Sequence, residues 1–332
     1  MKNATDWQAG GEYTYTVSLA TARGYIIEDD GSYTVYNADG LMNIAELVNG
    51  GKTDINITLD KNIDLTGKDW TPIGTDYDNS YKGTFDGGGH TITGLTFTTN
   101  DEYAGLFGWL NRAGTVKNVV MEGVQITSNQ IDGGSIGGVV GSSWGTIENC
   151  SVSGSVSGTV YVGGVVGVQI GGSITGCSSS ATVKGMVDVG GVAGQTNSSA
   201  TLTACYATGN VIIEMAPAKN IAGGGLVGMN AGSSLLACYA TGNVTSTGSS
   251  TGYMHIGGFL ENNYANVMTA CYWKNNHEQG IGYNKKSTEA TKVDGTDVTW
   301  QNAVDAMNTA LQNAGSKWRY ELKGALPTLR KQ

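Results

Sequence analysis

The sequence predicts an all-β protein: a right-handed parallel β-helix, or solenoid, of about seven to eight coils with short helical caps at both ends. The first observation is a glycine-rich segment that returns down the chain. Its last position falls at residues 108, 141, 167, 194, 228 and 261, giving steps of 33, 26, 27, 34 and 33 residues. The copies are AGLFG at Ala104–Gly108, IGGVVG at Ile136–Gly141, VGGVVG at Val162–Gly167, VGGVAG at Val189–Gly194, GGGLVG at Gly223–Gly228 and IGGFL at Ile256–Leu260, the last followed by Glu261.

The second observation is a column of apolar residues in phase with the glycine segments. It comprises Leu95, Val119, Cys150, Cys177, Cys205, Cys238 and Cys271. A coil of a solenoid cannot bury its inner face alone, but coils stacked about 4.8 Å apart form a continuous core. We therefore expect the column to be buried. The repeat glycines should occupy sharp turns or tight packing positions: Gly105, Gly108, Gly137, Gly138, Gly141, Gly163, Gly164, Gly167, Gly190, Gly191, Gly194, Gly224, Gly225, Gly228, Gly257 and Gly258.

The five cysteines share their column with a leucine and a valine, which favours buried free thiols over a metal or redox ladder. We expect no disulfide, no metal and no cofactor. The CxxC spacing typical of zinc sites is missing, and the chain has only 3 histidines.

Composition excludes several classes of protein. The 332 residues include 52 glycines and 3 prolines, and the formal net charge is −9. An acidic chain is unsuited to nucleic acid or to anionic lipid. The sequence has no apolar run near the ~20 residues of a membrane span, so we expect no direct membrane insertion, and we recognise no signal peptide.

Three segments are predicted. Residues 1–21 read as a strand remnant of a preceding domain or linker, residues 22–289 as the β-helix, and residues 290–332 as a C-terminal cap. A helix over Asp39–Asn49, capped by Asp39 and ended by Gly50, should cover the front of the rod. A second helix over Thr299–Gly315, followed by a strand at Lys317–Lys323, should cover the back.

The repeats resemble the GLUG-motif family. Two further phrases support the resemblance: DLTGKDWTPIG at Asp64–Gly74 and YKGTFDGGGHTITGL at Tyr81–Leu95, where Gly88 replaces a common asparagine. The resemblance implies secreted or surface-anchored bacterial proteins, often from gut Bacteroidetes, with adhesin-like β-helices. The opening WQAGGEYTYTV also resembles the last strand of a fimbrillin-like domain. Related repeats accompany the catalytic domain of some immunoglobulin A peptidases, but the His-Glu-x-x-His motif is not found in this sequence, so that activity does not carry over.

Uneven coil lengths suggest where a ligand would bind. The extra residues fall in the same part of each longer coil, at about 125–135, 211–222 and 245–255. Insertions on one side of a solenoid usually mark its working face. The predicted ligand-binding residues are Asn129, Asp132, Tyr161, Glu214 and Tyr253. The alternative is that loop length drifts where nothing packs.

The remaining candidates have simpler interpretations. His90 follows three glycines, and we expect it to make a structural hydrogen bond at a turn rather than to act as a base. Acidic pairs such as Asp76 and Asp78 read as solvated, although calcium ligation stays open. Arg and Lys are scarce in the middle of the rod, where only Lys117 and Lys184 occur, so the cationic cluster that a polysaccharide lyase would need is not evident.

The sequence therefore predicts a non-catalytic, adhesin-like module at the extracellular or outer-membrane surface. Its partners would be a glycan or a host surface protein, together with other domains of a longer parent chain. A β-helical polysaccharide lyase or hydrolase and a pure structural spacer remain as alternatives, the former by analogy of fold alone.

Overall fold

The computed structural model describes residues 23–131, 133–214, 221–248, 252–264, 267–284 and 289–332. These residues form a parallel β-solenoid of about seven turns, which confirms the predicted fold class. The predicted strand remnant at residues 1–21 lies outside the described residues, as does Asp132.

Three parallel sheets run the length of the solenoid. The first has fifteen strands in the described part of the chain, and only its opening pair is antiparallel. Its strands are Tyr25–Ile27, Tyr33–Val35, Ile57–Leu59, Thr84–Asp86, Phe107–Leu110, Thr115–Lys117, Val140–Ser143, Thr146–Glu148, Val166–Thr175, Ala193–Thr203, Val227–Ala231, Ser234–Leu236, Leu260–Asn263, Met268–Thr269 and Ile281–Asn284.

The other two sheets complete each coil. Among the described residues, the second sheet contains Ile63–Asp64, Thr91–Thr93, Thr96–Thr99, Val120–Ser128, Ser151–Ser157, Ser178–Ser179, Thr182–Gly185, Tyr206–Ala207, Val211–Glu214, Tyr239–Ala240, Val244–Thr247, Tyr272–Trp273 and Thr291–Lys292. The third contains Tyr103–Ala104, Ser135–Gly137, Val160–Gly163, Val187–Gly190, Ile221–Gly224 and Met254–Gly257. A typical coil therefore runs from the third sheet through the glycine motif into the first sheet, and then into the second.

The corner between the first and second sheets is a single left-handed residue. Asn118, Asn149, Ala204, Ala237 and Ala270 all have φ between 50° and 55°. This conformation costs a non-glycine residue about 1–2 kcal/mol. In the early coils asparagine, which tolerates it best, also forms a ladder: the Asn149 amide donates to Asn118 Oδ1 at 2.8 Å, and the Asn118 amide donates to Asp86 Oδ1 at 2.9 Å.

The predicted column follows this corner directly and lies in the core. All seven of its residues are at most 3% exposed, and all five cysteines are free thiols. The thiols also donate weak hydrogen bonds along the rod: Cys205 Sγ lies 3.4 Å from the carbonyl oxygen of Ile174, and Cys238 Sγ lies 3.7 Å from that of Leu202. Cysteine thus suits the corner because it is small and apolar and because its thiol can donate a hydrogen bond to a backbone carbonyl group.

The N-terminal helix, α1 (Ala38–Asn49), packs on the core at the end where the first sheet begins. Its buried face includes Leu41, Ile44 and Val48, as the periodicity predicts. The predicted cap residue was wrong, because Asn37 caps the helix by accepting from the Gly40 amide at 2.9 Å. Asp39 lies within the first turn and pairs with Lys68 at 2.6 Å.

The C-terminal segment is placed differently from the prediction. Helix α2 (Trp300–Asn313), capped by Thr299, leads into an antiparallel hairpin of Trp318–Leu322 and Pro327–Lys331. This segment lies along the side of the solenoid, over the corner between the first and second sheets. The hairpin spans several coils: the Tyr320 hydroxyl donates to the Ala237 carbonyl at 2.9 Å, and Lys331 pairs with Glu148 at 2.6 Å.

The small corner residues explain this placement. A Cβ at Gly176 would lie 2.3 Å from the Trp318 ring, and Ala204 and Ala237 belong to the same apolar cluster as α2. Alanine and glycine at the corner leave room for aromatic rings on the side of the rod. Thr291–Lys292 is the last strand of the second sheet, and the helix and hairpin that follow it, from Trp300 to Lys331, pack on the side of the solenoid and not over its end.

Burial of the column predicts that the five thiols are protected in the native protein. None should react with a small thiol reagent under native conditions, and all five should react in denaturant. Mass spectrometry of the alkylated chain measures both numbers. Fewer than five modified thiols in non-reducing denaturant would show that a disulfide forms.

Candidate functional site

The glycine motif allows the outer faces of the first and third sheets to meet. A Cβ at Gly163 would lie 2.8 Å from the Ala193 Cα, and a Cβ at Gly167 would lie 2.4 Å from the Ile136 amide nitrogen. Neither glycine has positive φ, so close packing and not turn geometry requires glycine here. Of the two roles expected for these glycines, the structure shows tight packing.

Two columns of residues flank this junction, and we call the surface between them the outer groove. The third-sheet column is Tyr103, Ser135, Tyr161, Asp188, Ala222 and His255. The first-sheet column is Trp109, Ser142, Val168, Gln195, Met229, Asn262 and Tyr283. The columns face each other, because Tyr103 contacts Trp109 and His255 contacts Tyr283.

An aromatic cluster forms the N-terminal end of the outer groove. The Trp109 ring lies edge-to-face with Tyr103, with 4.6 Å between ring centroids, and with Tyr77, at 5.7 Å. Tyr77 is 64% exposed, whereas Trp109 is 8% exposed and its Nε1 has no hydrogen-bond acceptor among the described residues. A buried donor without an acceptor is unusual, since such a group costs about 1–3 kcal/mol.

Carboxylates surround this cluster. The Tyr103 hydroxyl donates to Glu102 Oε1 at 2.6 Å. Burial raises the pKa of Tyr103, and the hydrogen bond to Glu102 and the charges of Glu102 and Asp76 raise it further. This end of the groove therefore combines apolar ring surface with oxygen acceptors.

A pair of buried carboxyl groups occupies the middle of the groove. Asp188, on the third sheet, is 6% exposed, and Glu261, on the first sheet, is 5% exposed. Burial raises the pKa of Glu261 to about 9, with contributions from the charge of Asp188 and a hydrogen bond between the two side chains. Burial likewise raises the pKa of Asp188 to about 6. Among the described residues no Lys, Arg or His forms an ion pair with either carboxyl group.

Glu261 stands where the other copies of the motif close with glycine. At the equivalent Gly228, a Cβ would lie 2.5 Å from the carbonyl carbon of Asp188. The closing position therefore faces the third sheet, and a glutamate there projects a carboxyl group into the junction. The sequence signalled this residue as a break in the motif, but no sequence pattern singled out Asp188.

The far end of the groove is also aromatic. His255 stacks on Tyr283 with 4.7 Å between ring centroids, and Tyr253 lies 6.3 Å from His255. Tyr253, one of the predicted binding residues, is 74% exposed. The third-sheet strand Met254–Gly257 brings it to this end of the groove.

The other predicted binding residues are dispersed. Tyr161 lies within the outer groove. Burial raises its pKa, and the charge of Asp188 raises it further. Asn129 is exposed just beyond a second-sheet strand, and Glu214 pairs with Lys184 at 2.7 Å on the second sheet. The described members therefore do not gather into one binding surface of the kind that the uneven coil lengths suggested.

The longer and shorter coils differ in the number of residues between a second-sheet strand and the next third-sheet strand. Residues 129–134, 215–220 and 248–253 all separate a second-sheet strand from a third-sheet strand, whereas the short coils have only 158–159 and 186 there. The third-sheet column of the outer groove starts directly after this corner, because each of its members is the first or second residue of its strand.

The remaining sequence candidates show structural contacts. The His90 amide donates to the Gly87 carbonyl at 2.8 Å within its turn, and Asp76 Oδ1 accepts from the Asn79 amide at 2.9 Å. In the described part of the chain no three His, Cys, Asp or Glu side chains gather to hold a metal ion. No helix there is long and apolar enough to cross a membrane.

The ion pair between Glu214 and Lys184 lies on the surface, so Glu214 should contribute little to the stability of the fold. Both partners are exposed by more than 40%, so Glu214→Gln should lower the free energy of unfolding by less than about 1 kcal/mol. Urea denaturation of the single variants and of the double variant with Lys184→Gln gives the coupling energy. A loss above about 2 kcal/mol would contradict a solvent-screened pair.

Comparison with known proteins supports the repeat assignment. Residues 132–157 and 158–184 match the GLUG motif family. The chain is 33% identical over 181 residues to halomucin of Haloquadratum walsbyi, covering 48% of this chain and 2% of halomucin. It is 33% identical over 129 residues to a protein of Evansella cellulosilytica provisionally named a Gly-rich membrane protein, covering 36% of this chain and 14% of that protein.

A solved structure shares the fold. It is a Bacteroides ovatus protein provisionally named an immunoglobulin A1 protease, with a TM-score of 0.69 and 20% sequence identity. The match covers 91% of this chain and 93% of the other. Identity this low shows a common architecture alone, and the family match shows that residues 132–184 of this chain are similar to GLUG motif repeats.

Proposed function

We propose that this chain is a non-catalytic module of a secreted or cell-surface protein and that it binds carbohydrate along the outer groove. The observation that carries the proposal is the aromatic cluster of Tyr77, Tyr103 and Trp109. It combines an exposed ring, a buried indole donor without an acceptor, and carboxylates beside them.

Sugar chemistry suits such a surface. The C–H faces of a pyranose pack on aromatic rings, and its hydroxyl groups both donate and accept hydrogen bonds. A hydroxyl oxygen could accept from Trp109 Nε1 while neighbouring hydroxyls donate to Asp76 or Glu102. The carboxylates strengthen those bonds because the acceptor is charged.

The length of the groove favours an extended ligand. Six strand spacings separate Trp109 from Tyr283 in the first-sheet column, which corresponds to roughly 29 Å. Tyr161 lies between the two aromatic ends, so rings are available along the path. An oligosaccharide or polysaccharide chain would use more of this surface than a single sugar.

The comparisons support a surface location. One relative is named halomucin and another a membrane protein, and this chain spans only 2% and 14% of them. A surface-displayed module within a longer parent chain, of the adhesin type and of Bacteroidetes origin, fits those names and the B. ovatus fold match. A host surface protein as partner belongs to the same proposal as an alternative ligand.

The enzyme alternative finds little support in the described residues. The two carboxyl groups of glycoside hydrolases are about 5–9.5 Å apart, with the sugar between them. Asp188 and Glu261 instead touch each other and are buried. Lys117 and Lys184 pair with Asp86 and Glu214, and Arg112 lies over the Trp144 ring at 4.9 Å.

Binding to a glycan array tests the proposal. The chain should bind at least one glycan, and Tyr77→Ala should weaken that binding about tenfold, because an exposed aromatic contact contributes roughly 1 kcal/mol or more. Tyr36→Ala is the control. Tyr36 is partly exposed and directly follows the N-terminal strand Tyr33–Val35, away from the groove. Absence of binding to every glycan would support the spacer alternative, and new reducing ends or unsaturated products would support the enzyme.

A further inference from the structure

We propose that Asp188 and Glu261 form a pH-sensitive lock: a shared proton holds the first and third sheets together at the outer groove, and loss of that proton releases them. The inference rests on geometry. The two carboxyl groups come from different sheets, are buried to at least 94%, and share a hydrogen bond across a junction that other coils close with glycine.

The two residues also come from different coils. Register places Asp188 beside Ala222, and Ala222 beside His255, whereas Glu261 belongs to the coil that contains His255. The Glu261 side chain therefore reaches back along the rod to the neighbouring coils. A hydrogen bond between these carboxyl groups therefore connects two coils as well as connecting the first sheet to the third.

Among the residues that the structure describes, no Lys, Arg or His forms an ion pair with either carboxyl group that would let both groups ionise. On the third sheet the column neighbours of Asp188 are Tyr161 and Ala222, followed by His255. On the first sheet the residues level with the pair are Gln195, Met229 and Asn262, with Tyr283 beyond them. The His255 ring is stacked on Tyr283, and Glu261 Oε2 has no hydrogen-bond partner among the described residues. Two adjacent carboxylates in such a site repel each other, so one proton must stay.

The sign of the pH dependence follows from the raised pKa values. Folding raises the pKa of Glu261 from 4.5 to about 9 and the pKa of Asp188 from 3.8 to about 6. The stabilisation is therefore complete below about pH 4, declines as the pH rises, and is lost as the pH passes through about 9. At alkaline pH the groove should open beside the pair.

Carboxyl NMR and hydrogen exchange together test the lock. In protein labelled with ¹³C at glutamate carboxyl groups, the resonance that disappears in Glu261→Gln should titrate far above the ordinary glutamate value of about 4.3. Exchange in strands Val187–Gly190 and Leu260–Asn263, corrected for the intrinsic rate, should rise about tenfold between pH 6 and pH 10 in the natural sequence. It should stay flat in Glu261→Gln.

Two further variants keep the test decisive. Glu261→Gly restores the residue that closes the other copies of the motif, so it should fold and lose the pH dependence even if Glu261→Gln does not fold. Glu122→Gln removes an exposed glutamate on the second sheet and should leave the exchange profile unchanged.

Three outcomes would overturn the lock. Glu261 could titrate like an ordinary glutamate, or exchange could rise equally in Glu261→Gln. Alternatively, calcium could stabilise the natural sequence at pH 7 but not the variants, which would identify a cation, not a proton, between the carboxyl groups.

Discussion

The close contact between the first and third sheets is the constraint on which the rest of the structure depends. A methyl group at Gly163 or Gly167 would overlap backbone atoms of an adjacent coil. Glycine at these positions lets the chain fold back on itself with the outer faces of two sheets in contact. The inner faces then point to one narrow core, which is filled by the valine and isoleucine residues of the motif and by the column of leucine, valine and cysteine.

This junction also creates the candidate site. Side chains next to the glycines cannot enter the core, so they line the outer groove as two facing columns. Aromatic residues occupy its ends, and a carboxyl pair occupies its middle where Glu261 replaces glycine. Construction and binding therefore use neighbouring positions of the same repeat. The motif forms the solenoid, and a position that departs from the motif, such as Glu261, adds a polar side chain to the groove.

Periodicity was enough to predict the solenoid, its buried column and both long helices. The glycine motif and the column repeat, so each coil independently supports the same interpretation, and each helix shows its own 3.6-residue apolar period. The placement of residues 290–332 could not be predicted in this way. It depends on Trp318 fitting over Gly176 and Tyr320 over Ala237, which lie 142 and 83 residues earlier in the sequence.

The candidate site was predicted only in part, for a similar physical reason. Tyr161 and Tyr253 do line the groove or its end, but Asn129 and Glu214 lie elsewhere. Insertion length marks the corner between the second and third sheets, where the third-sheet column of the groove starts. The facing column lies on the first sheet, and insertion length gives no information about it. Asp188 is an ordinary residue in the sequence and becomes notable only because Glu261, 73 positions later by their numbering, folds against it.

The most direct test of this account is a high-resolution crystal structure of the protein at neutral pH. The account predicts direct backbone contact between the first and third sheets at Gly163 and Gly167, and a carboxyl–carboxyl separation of about 2.5–2.7 Å between Asp188 and Glu261. A water-filled gap between the two sheets at these glycines would contradict it.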